Sequence, residues 1–455
     1  MNWRETSREA MHWHTNAQGT KIVCDLCPRH CQTQPGQMGF CKVRGNVDGT
    51  FHTFNFGKSV TATQECIETE AVNHYMPGAR ILSLGNIGCM MACSYCQNWQ
   101  TSQIKHLNDA HVFEYSPQQV IDLALANDIK VISWTYNDPV VWHEFVLETS
   151  KLAKAAGLTT LYKSALYIEL APLRELIEVI DIFSISLKCM DDAIYRKENK
   201  GKLQPVLDAI ELIAASDRHL EISQLVVTGL NDDGTDAIKT ARWMREKLKP
   251  EVPLHLVAYH PSFKYKKPRT ELATLLQLRE LVLNEGLQYV YLGNVYADDM
   301  SNTHCKNCSN LLVERFGLSV HVPGLDADGK CKKCQTPSVI RHTLAGQPVR
   351  KQVLADFDAV QTHSFTWNDE IRSVHIFLTN PQKEPVQIKL TRLPQGSVQY
   401  LELNEGLERI ILSKSSADES ELRLEAACQT PLHILPVLDR AHFPVIDETK
   451  TSSYA

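Results

Sequence analysis

Gly85-Asn-Ile-Gly-Cys89-Met-Met-Ala-Cys93-Ser-Tyr-Cys96-Gln-Asn-Trp99 follows directly on a short aliphatic run, Arg80 to Leu84, that reads as a β-strand. It sets three cysteines in a C-x3-C-x2-C pattern at the strand's end. Three thiolates so close in the chain wrap one object. Iron–sulfur clusters are normally held by four cysteine thiolates, so three leave one iron of a 4Fe-4S cluster open to another ligand. A zinc knuckle is the competing reading. It needs a fourth ligand nearby, and Gln97, Asn98 and Trp99 supply none of the usual ones.

Outward from this loop, residues 78–295 alternate short β-branched or aromatic runs with amphipathic segments, as in a parallel α/β sheet or barrel. The strand candidates are Arg80 to Leu84, Lys130 to Tyr136, Leu158 to Tyr162, Ile180 to Leu187, Leu220 to Thr228, Leu254 to Tyr259 and Gln288 to Gly293. Ser116-Pro117 reads as a helix N-cap and first helical residue, and Gly157 and Gly286 as residues just past helix ends. Six or seven strand–helix units are too few for an eight-fold barrel, so the expected fold is α/β, a partial, TIM-like (β/α)6 barrel with ligands at its C-terminal strand ends.

Three stretches flank it. Residues 1–77 are Cys-, Gly- and charge-rich without sustained periodicity, and read as a small metal-organised module. Residues 296–340 form a second Cys-rich module, and 341–455 switch to alternating strands, a β-sandwich-like domain with candidates at Ser373 to Leu378, Val386 to Leu390, Val398 to Leu403, Arg409 to Leu412 and Glu421 to Leu424. The final residues, 447–455, read as a frayed tail.

The chain of 455 residues is 43% hydrophobic and 22% charged, with a net charge of -6, a composition of globular proteins and not of chains that coat nucleic acid by bulk charge. Its one basic run, Lys264 to Arg269, reads as a solvated loop. No apolar stretch is long enough to span a bilayer and the N-terminus does not resemble a secretion signal, so a cytoplasmic location is expected. Eleven of the 14 cysteines fall in three close-spaced groups, which in a reducing compartment read as metal sites. Cys66, Cys189 and Cys428 stand alone and read as small buried residues; Cys189, next to Lys188, could also donate a hydrogen atom to a radical.

The triplet, with Tyr95 before its last cysteine, resembles the signature of the radical S-adenosylmethionine (SAM) enzymes, and Cys96-Gln-Asn is similar to the branch containing pyruvate formate-lyase activating enzyme. Cys24-Asp-Leu-Cys27-Pro-Arg-His-Cys31, Gly39-Phe-Cys41, His74-Tyr-Met-Pro-Gly78, Trp134-Thr-Tyr-Asn-Asp-Pro139, Tyr259-His-Pro261 and Tyr289-Val-Tyr-Leu-Gly-Asn294 resemble the radical SAM proteins of the AmmeMemoRadiSam system, over residues 22 to 340. The resemblance implies a 4Fe-4S cluster on Cys89, Cys93 and Cys96 that cleaves SAM to a 5'-deoxyadenosyl radical, used to abstract hydrogen from a substrate. It implies a flavodoxin or ferredoxin as electron donor. It also implies SAM contacts from Tyr95, from Asn137-Asp138 after the second strand, from Lys188 and from the strand-end His260. Asp138 before Pro139 equally suits a helix start.

Two strand ends depart from the activating-enzyme pattern. Ser186-Leu-Lys188 stands where an Asp-x-Lys is expected, and Lys163-Ser-Ala165 where an Asn-Gly is expected. Lys163 and Lys188 then suit an anionic substrate, or are solvent-reaching lysines of the ordinary kind. Cys305-x2-Cys308 and Cys331-x2-Cys334 have zinc-ribbon spacing. Cys24, Cys27, Cys31 and Cys41 suit zinc or an auxiliary iron–sulfur cluster, with closed four-ligand coordination favouring zinc. Two other functions compete with hydrogen abstraction from a substrate of unknown kind: activation of a glycyl-radical partner protein, and a metal-organised binding scaffold that has lost catalysis.

Overall fold

In the computed structural model the described residues are 3–342, apart from 296, 298, 317 and 318, together with 361–367, 371–380, 386–393, 397–403, 406–413, 420–427 and 433–440. The chain divides into two compact units, Met1–Gln347 and Pro348–Ala455. The stretches set apart above as 1–77, 78–295 and 296–340 all lie in the first.

A nine-stranded sheet organises that unit. Its strands are β1 (Lys58–Cys66), β2 (Arg80–Asn86), β3 (Phe113–Glu114), β4 (Val131–Thr135), β5 (Thr159–Ser164), β6 (Ile182–Leu187), β7 (His219–Val226), β8 (Leu254–Ala258) and β9 (Val290–Gly293). They are ordered β9-β8-β7-β6-β5-β4-β2-β1-β3. Across the run β9-β8-β7-β6-β5-β4-β2 every pairing is parallel, while at the other edge β1 pairs antiparallel with both β2 and β3. Six helices make the crossovers: α1 (Pro117–Ala126), α2 (His143–Ala155), α3 (Leu170–Val179), α4 (Leu203–Ala214), α5 (Thr235–Lys247) and α6 (Leu272–Asn284). Six strand–helix units with a closing strand make the open (β/α)6 barrel that the periodicity predicts. Ser116 caps α1, its side chain accepting from Gln119 N–H while Gln119 returns a bond to Ser116 N–H.

Strand residues alternate between two surroundings. Leu82, Leu84, Ile132, Trp134, Tyr162, Phe183, Ile185 and Leu187 belong to the large core that also contains the inner faces of the helices. The opposite set, Ile81, Val131, Leu161 and Ile182, packs on Ile67, Val72 and Tyr75, so the segment after β1 floors the barrel at the strands' N-terminal ends. One step further along each strand come Ser83, Ser133, Lys163, Ser184 and Ser223. The barrel interior therefore turns from apolar to small and hydroxylated on the way to the C-terminal ends.

A buried polar knot fastens the floor. The Glu221 carboxylate accepts from Asn73 N–H (2.9 Å), His74 N–H (2.7 Å), His219 Nε2 (2.9 Å) and His255 Nε2 (2.7 Å). His74 Nε2 meets Tyr291 Oη at 2.6 Å, and Arg315 reaches Glu68, Asn73 O and Thr303. Arg315 lies on the strand Leu311–Phe316 of the 303–341 segment, which is thereby welded to the floor.

In the second unit, strands Gln361–Thr366, Glu421–Ala427, Val386–Leu393 and Ser397–Leu403 form one antiparallel sheet, and Gly406–Ser413, Ile371–Asn380 and His433–Arg440 another. Val386, Ile388 and Leu390 are buried at alternate positions. All five sequence-derived strands there are present; Cys428 and the 447–455 tail lie outside the described residues.

Candidate active site

The loop after β2 carries Cys89, Cys93 and Cys96, all half-buried free thiols. Local sequence fixes its path. Gly85 lies against the Tyr136 ring, where a Cβ would stand 2.9 Å from Cδ2, and Gly88 has φ +81. Tyr136 itself holds a left-handed φ of 64, and its carbonyl accepts from Asn98 Nδ2 at 2.5 Å. Strain of this kind persists where surrounding bonds enforce it.

Neighbouring strand ends grip the loop. Ser94 O accepts from Lys264 N–H (2.9 Å) and Tyr265 N–H (3.0 Å), and Cys96 O accepts from Ser262 Oγ (3.0 Å). From beyond β6, Asn199 O accepts from Ala92 N–H at 3.2 Å, and Glu198 O from Ser94 N–H at 2.9 Å. Donors point at the sulfurs too: Met91 N–H at Cys89 Sγ (3.3 Å) and Asn199 Nδ2 at Cys93 Sγ (3.3 Å), with Ser102 Oγ 3.4 Å from Cys96 Sγ. Burial, and then the charges of Asp138, Cys93 and Cys96, push the Cys89 thiol well above its ordinary pKa. A thiolate set here needs a cation. Three thiols on one loop with amide donors, and no carboxylate or imidazole gathered with them as a fourth ligand among the described residues, suit an iron–sulfur cluster with one open iron.

The other sequence-derived positions distribute unevenly around the triplet. Tyr95 is buried against Val227 and Tyr259, its hydroxyl accepting from Asn199 Nδ2 at 2.6 Å. Asn137 is buried and ties β4 to the loop, donating to Asn86 O (2.5 Å) and accepting from Thr101 Oγ1 (3.1 Å). Asp138 caps the turn Pro139–Trp142 through Val140 N–H and accepts from Ser164 Oγ and Ala165 N–H, both at 2.8 Å. Its carboxylate thus joins the ends of β4 and β5, and burial raises its pKa. Lys188 follows β6 and His260 follows β8; both are half-buried.

Lys163 differs from the expected strand-end residue. It sits inside β5 and donates to Glu70 O (3.1 Å), Ser184 Oγ (3.0 Å) and Ser223 Oγ (3.0 Å), which uses all three of its protons. Burial lowers its pKa to about 8 and raises that of Glu70 to about 7. Asn199 was not singled out from the sequence. It closes a π-helical turn, Tyr195–Asn199, and such turns concentrate at functional sites, but nothing in the letters Tyr-Arg-Lys-Glu-Asn distinguishes one from an exposed helix.

Of the isolated cysteines, Cys189 is buried with its thiol on Asp191 O, and Cys66 donates to Glu68. Lys264, Lys266, Lys267 and Arg269 are exposed, as a solvated loop requires. No helix among the described residues is long and apolar enough to cross a membrane.

A parallel α/β barrel with a three-cysteine loop at its first C-terminal strand end defines a class. Residues 86–243 match the family model of the Radical SAM superfamily, to which this chain belongs, and it is an enzyme of radical chemistry whose superfamily works with a 4Fe-4S cluster and SAM. Over 329 residues it is 34% identical to an uncharacterized protein of Methanocaldococcus jannaschii, covering 72% of this chain and 97% of that protein. Over 193 residues it is 24% identical to the pyruvate formate-lyase 1-activating enzyme of Escherichia coli K12, covering 42% of this chain and 78% of that enzyme. Among solved structures it is similar to a radical SAM methyltransferase from Sphaerobacter thermophilus, at 15% identity and a TM-score of 0.38, over 48% of this chain and 68% of that one.

Proposed function

We propose that Cys89, Cys93 and Cys96 hold the 4Fe-4S cluster and that the enzyme abstracts hydrogen from a substrate received in the small, hydroxylated upper barrel. The observation that carries the reading is the gripped loop of three free thiols at the C-terminal strand ends, each with a donor or hydroxyl at its sulfur. When bound, the cluster and SAM together supply a low-potential electron and a sulfonium that cleaves to methionine and a 5'-deoxyadenosyl radical. This chain's own residues do the rest. Asn199 and Tyr95 set the position of Cys93, and Asn137 and Asp138 fix the strand ends beside the loop. Lys188 and His260, both half-buried, face polar parts of SAM, and the Trp99–Phe263 stack, with centroids 5.3 Å apart, shields the loop from water. A flavodoxin or ferredoxin delivers the electron.

The test is anaerobic reconstitution with SAM and a strong reductant, followed by detection of 5'-deoxyadenosine. Cys93→Ala is expected to abolish it. A wild-type protein that binds the cluster and forms no 5'-deoxyadenosine contradicts the proposal and favours the scaffold reading.

A second reading takes a glycyl-radical protein as the substrate, and it is the similarity to the pyruvate formate-lyase 1-activating enzyme that favours it. Its readout is a glycyl-radical EPR doublet on a candidate partner after turnover.

A further inference from the structure

Of the three cysteine groups, only one gathers its sulfurs closely among the described residues. In the 303–341 segment, Cys305 Sγ and Cys334 Sγ are 3.6 Å apart, as are Cys308 Sγ and Cys331 Sγ, and all four sulfurs lie within 4.8 Å of one another. A tetrahedral zinc with bonds of about 2.3 Å sets its sulfurs about 3.8 Å apart, so this group has the size of one ion. Cys24, Cys27, Cys31 and Cys41 do not gather that way. Among the described residues no three of their sulfurs lie within 4.8 Å of one another, and the same is true of the triplet at 89–96. A cubane cluster holds its cysteine sulfurs roughly 6 Å apart, because four irons and four sulfides stand between them.

The N-terminal four are nevertheless not a scattering of unrelated thiols. Cys24, Cys27, Cys31 and Cys41 line one pocket, with Leu26, Phe51, Met90 and Val141 among its apolar walls. An amide also serves the sulfur of Cys31: Phe40 N–H points at that Sγ from 3.4 Å. The same kind of amide-to-sulfur bond serves Cys89. The cavity abuts the triplet loop. Met90 lies in its wall, and a Cβ on Gly88 would stand 3.0 Å from Cys41 O.

We propose that Cys24, Cys27, Cys31 and Cys41 hold a second 4Fe-4S cluster, fully ligated by protein, one backbone layer from the triplet loop, while zinc is confined to Cys305, Cys308, Cys331 and Cys334. This replaces the zinc that four-ligand coordination alone favours at the N-terminal site. It does not depend on the triplet binding SAM.

The experiment is an iron, sulfide and zinc count on the full-length chain, purified and reconstituted without oxygen. Wild type is expected to carry about eight irons and one zinc, and Cys89→Ala/Cys93→Ala/Cys96→Ala about four irons and one zinc. The residual cluster in that variant is expected to give a dithionite-reduced EPR signal that SAM does not alter, and the wild-type signal to be broadened by spin coupling between two adjacent clusters. A triple variant with no iron and about two zincs overturns the proposal. Should the variant not fold, the wild-type count decides, about four irons with two zincs refuting it. A triplet that fails to bind a cluster would leave wild type and variant alike at about four irons, which separates this proposal from the preceding one.

Discussion

Replacing Glu221 by Gln should loosen the barrel floor without touching the cysteine loop. The carboxylate accepts on both oxygens: Oε1 from Asn73 N–H, His74 N–H and His219, Oε2 from Asn73 N–H (3.0 Å) and His255. Burial opposes its charge, but the hydrogen bonds from His219 and His255 hold its pKa well below the ordinary value. A glutamine can keep an oxygen toward the first set, and its NH2 then confronts Asn73 N–H and His255. A tautomer switch of His255 rescues one contact and not the other. Bonds to a charged acceptor contribute about 1.5–3 kcal/mol each, and breaking a buried charged network costs about 3–5 kcal/mol, so about 3 kcal/mol is expected. That corresponds to roughly two decades in an opening equilibrium. Hydrogen exchange reads it directly, because the Asn73 and His74 amides are donors to Glu221; their protection should fall about a hundredfold while amides of α4 stay as they were. Unchanged protection at 73 and 74 would refute the assignment of Glu221 as the fastening of the floor.

Asn199→Leu removes the amide donor to Cys93 Sγ. A reduced cluster carries more negative charge, so that bond favours reduction; at about 1.4 kcal/mol its loss should lower the potential by about 60 mV, read by EPR-monitored titration. Glu70 and His74 oppose one another in pH. Burial raises Glu70 to about 7, so its contribution to stability grows as pH falls from 7 toward 4.5; burial lowers His74 to about 3, so its contribution is lost as pH falls below 6.5. Glu70→Gln leaves the histidine unopposed, and its urea midpoints should show stability falling more steeply than wild type by about 1.4 kcal/mol per pH unit between about 6.5 and 5. Lys188→Met should weaken SAM binding tenfold or more, whereas Lys163→Met should chiefly lower stability; equal affinity losses in the two would contradict the roles given to them.

The strands of the barrel were legible because each is a compact apolar run between turn signals. Ile182–Leu187 and Val131–Thr135 are buried from end to end and read so in the letters. β1 was not legible. Lys-Ser-Val-Thr-Ala-Thr-Gln-Glu-Cys has little apolar content, and its place is fixed by antiparallel pairing to β2. His433–Arg440 contains Pro436, which argues against a central strand, and the structure indeed places it at a sheet edge. The cysteine motif announced the site, since spacing in sequence maps directly onto one loop. Asn199, Glu221 and His255 did not announce themselves, because buried polar residues take their places from partners distant in sequence, such as Asn73, 148 positions from Glu221.

What the interior layering adds is a constraint on the substrate. The lower barrel is committed: Glu221 is saturated, His74 and His255 are neutral by burial, and Lys163 spends its donors on Ser184, Ser223 and Glu70 O. Ser83 and Ser133, by contrast, are buried with hydroxyls that find no partner among the described residues, one layer below the strand ends. Of the two lysines that suited an anion, Lys188 alone keeps its ammonium without a side-chain bond among the described residues, and it lies at the strand-end level of the cluster loop. On the proposed reading, an anionic group on the bound molecule, whether SAM's carboxylate or the substrate's own, would be met at the rim by Lys188 and not at depth by Lys163.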